Sequence, residues 1–285
     1  MLPEYWGWLR HGIGHRVFAP PVADKPLGSL VAVALGHTML LLAVTFVLVV
    51  VFSVLVGVVA ALWRGSAVDL LLRCLSYVAW GVPAFLLALA VQVVVNAAGS
   101  GHGLGPFPLA GWPGSCPAGI GLNHGTITPC PAAGSGPVYA WNLFRYLALP
   151  AVTLAVGLVG LHGRFLRVAL LEILDAPFIT TARAKGLTER RVLLRHALHV
   201  SLSAFLSGLL ADFGAIFGAS LAVDWVFQLN GLGSMFVREF PTESFAPIDA
   251  YSIELVLLVA GALVLLSSLL SEIALVSLDP RVRLK

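Results

Sequence analysis

From Leu30 to Leu62 the chain runs 33 residues without an Asp, Glu, Lys or Arg. At about 1.5 Å per residue a helix of that length reaches roughly 50 Å, against a hydrocarbon core about 30 Å thick. An uncharged run of this length is foreign to soluble cores, where apolar segments alternate with solvated faces. Four further runs follow, Cys74–Asn96, Tyr146–Gly163, Ala197–Val223 and Leu255–Ser271, and only the third of these holds a charge, Asp212. In hydrocarbon the backbone has no water to bond with, so each run has to be helical. The fold class is therefore all-α, a polytopic membrane helical bundle of about five transmembrane helices. The spans are expected at about 30–62, 74–98, 146–163, 197–223 and 252–276, which together make a membrane domain over 30–276. Composition agrees: 11% of residues are charged, where a soluble domain carries about 25%.

The loops between the spans differ in charge. Arg64, Arg73, Arg164, Arg167, Arg183, Lys185, Arg190, Arg191, Arg195, Arg281, Arg283 and Lys285 fall in one alternate set, twelve of the 17 basic residues; Arg10, Arg16, Lys25, Arg145 and Arg238 make up the other. Basic loops stay in the cytoplasm. That puts the loop 164–196 and the tail 277–285 in the cytoplasm, and the N-terminus, the aromatic lead 1–29 and the loop 99–142 outside. The first 28 residues hold no apolar core of the length a secretory signal needs. The outer loop carries eleven Gly and seven Pro between Gly99 and Ala140 and no charged side chain, a composition that resists regular structure. Its Cys116 and Cys130 have two open readings, a disulfide permitted by an oxidising compartment or two free thiols. Cys74, at the start of a span, reads as packing.

The cytoplasmic loop interrupts this apolar chain with "ITTARAKGLTERRVLLRH", Ile179–His196. Before it, "GRFLRVALLEIL" continues the third span, with Arg164 and Arg167 on one face and expected to snorkel to the surface. Asp175 is placed to cap a short helix with Pro177 in its first turn. Gly186 is suited to the left-handed conformation that ends a helix, and Thr188 to capping the next one. The short helix offers Phe178, the small Thr181 and Ala182, and Leu187, an apolar knob ringed by charge that suits a helix-in-groove docking mode. A solvated loop obeying the positive-inside rule is the other reading.

Four further features stay open at this level. Asp212, a carboxylate inside a span, either lines a pathway and favours cations or is a neutralised interface residue. Asp224, at the outer end of the same span, either belongs to an outer gate with Asn230 and Gly231 of "NGLG" or is a helix-end carboxylate in water. Gly157, Gly160 and Gly163, and the pair Gly214 and Gly218, offer small faces for contact with a second subunit or for internal packing. His11, His15, His102 and His124 have no spacing that fixes metal geometry, so no metal site is expected. No catalytic grouping is expected either: Ser-His-Asp, Cys-His and H-E-x-x-H arrangements are all missing, and no G-x-x-x-x-G-K-[ST] phosphate loop is present.

The loop motif "TTARAKGL" resembles the EAA motif of permease subunits in the binding-protein-dependent family of ATP-binding-cassette importers, and its "ARAKGL" is similar to the B-type branch that serves dipeptides, oligopeptides and nickel. Thr180 and Thr181 stand where the general motif has Glu and Ala. "RHAL" (195–198), "LAVDWVFQLNGLG" (221–233), "LDPRVR" (278–283), "GPFPLAGW" (105–112) and "RYLALPAVTLA" (145–155) extend the resemblance over nearly the whole chain, as does the lead "EYWGWLRHGIG" (4–14). Family members usually have six helices, and the span that would come before this lead is not in the sequence; five spans with the N-terminus outside is what that leaves. Ala204 stands where Pro is frequent, implying a straighter fourth span, and Asp212 where a neutral residue is common.

The resemblance implies a bacterial inner-membrane subunit that pairs with a second, C-type permease and works with two ATPase subunits or domains and an extracytoplasmic binding protein. ATP and Mg2+ would be used by the ATPase, with no cofactor on this chain and no nucleic-acid partner; the bilayer lipid is the remaining neighbour. Phe178, Thr181, Ala182, Lys185, Gly186 and Leu187 would form the coupling helix. The cargo implied is a peptide, with nickel or another small ligand as the alternative. An ion-driven secondary transporter with Asp212 as proton site is the reading from another class, and it requires inverted repeats that the sequence does not show.

Overall fold

The computed structural model describes residues 27–97, 107–114, 135–238 and 250–278. All regular structure among them is helical. Helix α1 spans Leu27–Leu62, 36 residues. Its inward positions include Thr38, Thr45 and Ser53, all buried, while Val33, Val47 and Leu55 are exposed. That distribution is the reverse of a water-soluble helix. It suits a lipid solvent, in which small and polar residues face neighbouring helices and large apolar ones face the acyl chains.

The chain leaves α1 through a tight turn in which Gly65 takes φ +76°, and Ser66 caps helix α2 (Ala67–Gly81) by accepting the Asp69 N–H. The apolar run expected as one span over 74–98 is two helices, α2 and α3 (Ala84–Ala97), bent by 95°. Pro83 is the cause. The residue before a proline is pushed out of the helical region, and Val82 sits at φ −94°, ψ 118°. Helix α4 (Pro137–Leu174) carries Pro150 within it and stays continuous. Helix α5 (Pro177–Ala184) is the short helix of the loop. The run expected as one span over 197–223 is divided at Asp212 into α6 (Glu189–Ala211), which contains a π-helical turn at Val192–Ala197, and α7 (Phe213–Phe227). Ala204 lies within α6, and the helix is unbroken around it. Two more helices follow, α8 (Leu232–Arg238) and α9 (Ala250–Leu278). By length and composition α1, α4 and α6 can each cross a bilayer, and the bent α2–α3 pair makes a fourth crossing if taken as one span.

The chain forms two compact units, and each is described separately. The first is drawn from Met1–Leu42, Ala88–Pro150 and Ser220–Ala262, the second from Ala43–Leu87, Ala151–Ala219 and Leu263–Lys285.

In the second unit the glycines of α4 are internal packing devices. A Cβ on Gly160 would lie 2.6 Å from the Ser76 carbonyl oxygen of α2, and one on Gly157 would lie 3.3 Å from that of Ala79. Gly163 faces Val56 of α1 at 3.1 Å, and Gly57 faces Leu166 of α4 at the same distance. Backbones come this close only where side chains are absent. The other small pair separates: Gly214 meets Val264 at 3.2 Å, while nothing lies within 4 Å of Gly218.

Arg167 does not snorkel. Its Nε and Nη2 donate to Asp69 Oδ1 and Oδ2, both at 2.7 Å, and Asp69 also accepts the Gly65 N–H. A carboxylate withdrawn from water needs a partner nearby, and this bidentate pair joins α2 to α4. Arg164 is held too: it donates to Gly160 O and stacks over Tyr77 at 4.0 Å.

Replacing Gly160 with Val should therefore destabilise the fold by about 1–3 kcal/mol or more, the usual cost of overpacking. Gly218→Ala should be neutral or mildly stabilising, as a glycine-to-alanine change in an open helical position is. Thermal unfolding of the two variants in detergent micelles, compared with the parent chain, checks both.

Candidate coupling and gate sites

Helix α5 is carried by contacts at both of its ends. Ile179 is fully buried and fixes it to the second unit. Its start is not capped by Asp175: the N-cap position is Ala176, no side chain bonds there, and Pro177 opens the helix. Proline is suited to that first position because its missing N–H would be unpaired anyway. Its end is where Gly186 takes φ +79° and donates its N–H to Arg183 O at 2.9 Å. Thr188 occupies the N-cap position of α6, without a side-chain hydrogen bond.

Arg183 ties this motif together. Its Nε and Nη2 donate to Glu189 Oε1 and Oε2 at 2.7 and 3.2 Å, and Nη1 donates to Leu174 O at 3.3 Å. The Glu189 hydrogen bond raises the pKa of the Arg183 guanidinium above its ordinary value. One side chain thus links α5 to the end of α4 and the start of α6. Outward from this clamp, Phe178 is half exposed, Thr181, Lys185 and Gly186 are exposed, and Leu187 is partly covered. Ala182 is a backbone position of α5, and its side chain lies outside the described residues.

In the first unit Asp224 is fully buried, which excludes a helix-end carboxylate in water. The turn after α7 folds back over it. Oδ1 accepts the Gly231 N–H at 3.1 Å and the Ser234 hydroxyl at 3.0 Å, and Oδ2 accepts the Ser234 N–H at 3.0 Å. These N–H groups open α8, so the carboxylate acts as its distant cap. Gln228 and Asn230 take φ +52° and +57° to make the turn. Gly231 is required there: a Cβ would fall 2.5 Å from Thr38 Oγ1 and 2.6 Å from Asp224 Oδ2.

The same turn is held to α1. Thr38 Oγ1 accepts the Leu232 N–H at 2.9 Å, and His37 Nδ1 lies 3.1 Å from Asn230 O. Trp112, from the segment 107–114, stacks on His37 with ring centroids 3.8 Å apart. Gln92 Nε2 donates to Val226 O at 2.6 Å, and the Gly111 N–H donates to Phe227 O at 2.9 Å. Asp224, Asn230 and Gly231 are thus brought together, the first of the two arrangements the sequence left open. Thr38, His37, Gln92 and Ser234 are additions that no local motif marks.

Asp212 belongs to the second unit. It ends α6, its side chain is about half exposed, and it lines a cavity of about 350 Å³ with Trp80, Pro83, Thr153, Leu154 and Ile216. The His162 ring is buried, with Nε2 3.5 Å from Asp212 Oδ2. Cys116, Cys130, His11, His15, His102 and His124 lie outside the described residues, and among the described residues no group of three or more His, Cys, Asp or Glu is arranged to hold a metal.

Residues 53–284 match the family described as the binding-protein-dependent transport system inner membrane component. The chain belongs to this family. The oligopeptide transport system permease protein OppB of Mycobacterium tuberculosis strain H37Rv is 28% identical over 283 residues, covering 99% of this chain and 81% of that protein. The protein of the same name from Haemophilus influenzae is 29% identical over 260 residues, covering 91% and 73%. Among solved structures, the inward-facing MetNI methionine ABC transporter contains a chain that superposes with a TM-score of 0.64 at 17% identity, covering 90% of this chain and all of that one. The all-helical fold is thus that of an ABC-transporter membrane subunit.

Asp224→Ala leaves the Gly231 and Ser234 N–H groups buried without an acceptor. Hydrogen bonds to a charged group contribute about 1.5–3 kcal/mol each, so the loss should exceed about 2 kcal/mol. Hydrogen–deuterium exchange should rise selectively at residues 229–236, and the α5 region should be unchanged.

Proposed function

We propose that this inner-membrane component is the permease subunit of an ATP-driven importer, and that its cargo is a peptide delivered by an extracytoplasmic binding protein. In this reading it pairs with a second permease to form the pathway, and two ATPase subunits bind ATP and Mg2+ on the cytoplasmic side. The chain itself performs no catalysis. It sits in a bacterial cytoplasmic membrane with its C-terminus inside and the described N-terminal end outside.

The observation that carries this reading is α5. A helix of eight residues held by one buried Ile and one arginine clamp, with Phe178 turned outward, is a rigid knob on an otherwise lipid-suited chain. Phe178 and Leu187 supply apolar contact, the small Thr181 and Ala182 let a groove approach closely, Lys185 offers a charge, and Gly186 stops the helix. A push on the knob reaches α4 and α6 through Arg183. The peptide cargo is favoured over nickel by the names of the OppB relatives. Asp224, Asn230 and Gly231 would hold the outer gate as one folded unit.

Co-purification tests the reading. The tagged chain, produced with the proteins encoded beside it, should bring down an ATPase. Phe178→Asp should reduce recovery at least about tenfold, because a hot-spot aromatic contributes 2 kcal/mol or more to an interface, while the exposed position leaves the chain itself folded. If neither form recovers an ATPase, the importer reading fails.

A further inference from the structure

Among the described residues Asp69 and Asp224 are buried and Asp212 is about half exposed into a cavity, and the three are not treated alike. Asp69 is met by a bidentate arginine and Asp224 by backbone N–H groups and a serine. Asp212 has only the long approach of His162, 3.5 Å from Oδ2. The His162 Nε2 is itself buried and makes no hydrogen bond. Asp212 Oδ1 receives no hydrogen bond from any described residue. The side chain is nonetheless placed with care. The break between α6 and α7 falls at this residue, and the carboxylate emerges there into the cavity.

The rest of the wall is almost entirely apolar. Trp80, Val82 and Pro83 come from the α2–α3 bend, Leu154 and Leu158 from α4, and Ile216 from α7. Asp212 is the sole charged residue in the lining. A cavity of about 350 Å³ lies at the small end of the range for ligand pockets, about 300–1,000 Å³. It suits the end of a peptide better than a whole oligopeptide. A single carboxylate backed by a histidine in an apolar cleft is under-compensated, and the ligand that completes it is a cation with an apolar body.

We infer that this cavity is a translocation subsite in which Asp212 receives the α-ammonium group of the cargo peptide while the apolar wall takes its first side chain. The inference rests on the peptide reading above. His162 lies behind Oδ2 at 3.5 Å without a hydrogen bond, so the carboxylate stays open to the ligand.

Cysteine protection tests the site. In the full chain with Cys74, Cys116 and Cys130 replaced by Ser, Ala215→Cys reports on the wall and Tyr77→Cys, exposed outside it, serves as control. Vesicles are labelled with N-ethylmaleimide in the presence of alanyl-alanine or of N-acetyl-alanyl-alanine. Free dipeptide at twice its Kd should slow labelling at 215 about threefold by mass action, while the acetylated form should not. Asp212→Asn should abolish the difference and Asp212→Glu should retain it, with labelling at 77 constant throughout.

Equal protection by both dipeptides, protection by neither, or protection that survives Asp212→Asn overturns the proposal. If the Asn variant fails to fold, the two dipeptides on the parent chain still decide. ATP-driven accumulation of labelled alanyl-alanine in vesicles holding the complete importer tests the peptide reading separately. Accumulation without protection removes the subsite and leaves that reading, and protection without accumulation does the reverse.

Discussion

A polar group that leaves water in a hydrocarbon-suited chain is costly unless it is paired, and the buried carboxylates of this structure are arranged around that requirement. In hydrocarbon an unpaired backbone or charged group costs several kcal/mol, so the helices satisfy their own backbones and the few buried charges are met one by one. Asp69 and Arg167 neutralise each other between α2 and α4. Asp224 collects the N–H groups that open α8. Both carboxylates are fully compensated, and both are structural. The contrast with Asp212, half exposed and loosely approached by His162, separates a residue that holds the fold from one left able to take a ligand.

Close backbone approach supplies the rigidity. Lipid gives helices little hydrophobic reason to associate, so contact area and van der Waals fit have to hold them. Gly157, Gly160 and Gly163 place α4 directly against α2 and α1. Helix α5 is built differently. It is anchored by the buried Ile179 and the Arg183 clamp. In the importer reading proposed above, this is the helix through which a docked ATPase would move α4 and α6.

Several features were legible before any coordinates. The breaker role of Gly186 follows from its lack of Cβ, and it takes the expected left-handed φ. The outward Phe178 follows from the period of a short helix. The grouping of Asp224 with Asn230 and Gly231 follows from nearness in sequence. Others were misread. Arg167 was expected at the surface, but its partner Asp69 lies 98 residues away, so no local pattern marks it. Asp175 was a plausible cap by residue type, yet the chain begins the helix one residue later, at Pro177. The second apolar run was read as one span although Pro83 stood inside it. Pro150 lies inside α4 without ending it, so proline alone did not say which run would bend.

The sequence alone determined the class: long uncharged runs admit only helices in a bilayer, because nothing else satisfies the backbone without water. It also determined which loop carries the basic, glycine-punctuated motif. The tertiary structure decided what each charge is for. The groups that meet across the first unit are as far apart as His37 and Asn230, separated by 193 residues. Whether a carboxylate is neutralised, capped or left open depends on what folds against it. That is a property of packing, and no single stretch of the chain contains it.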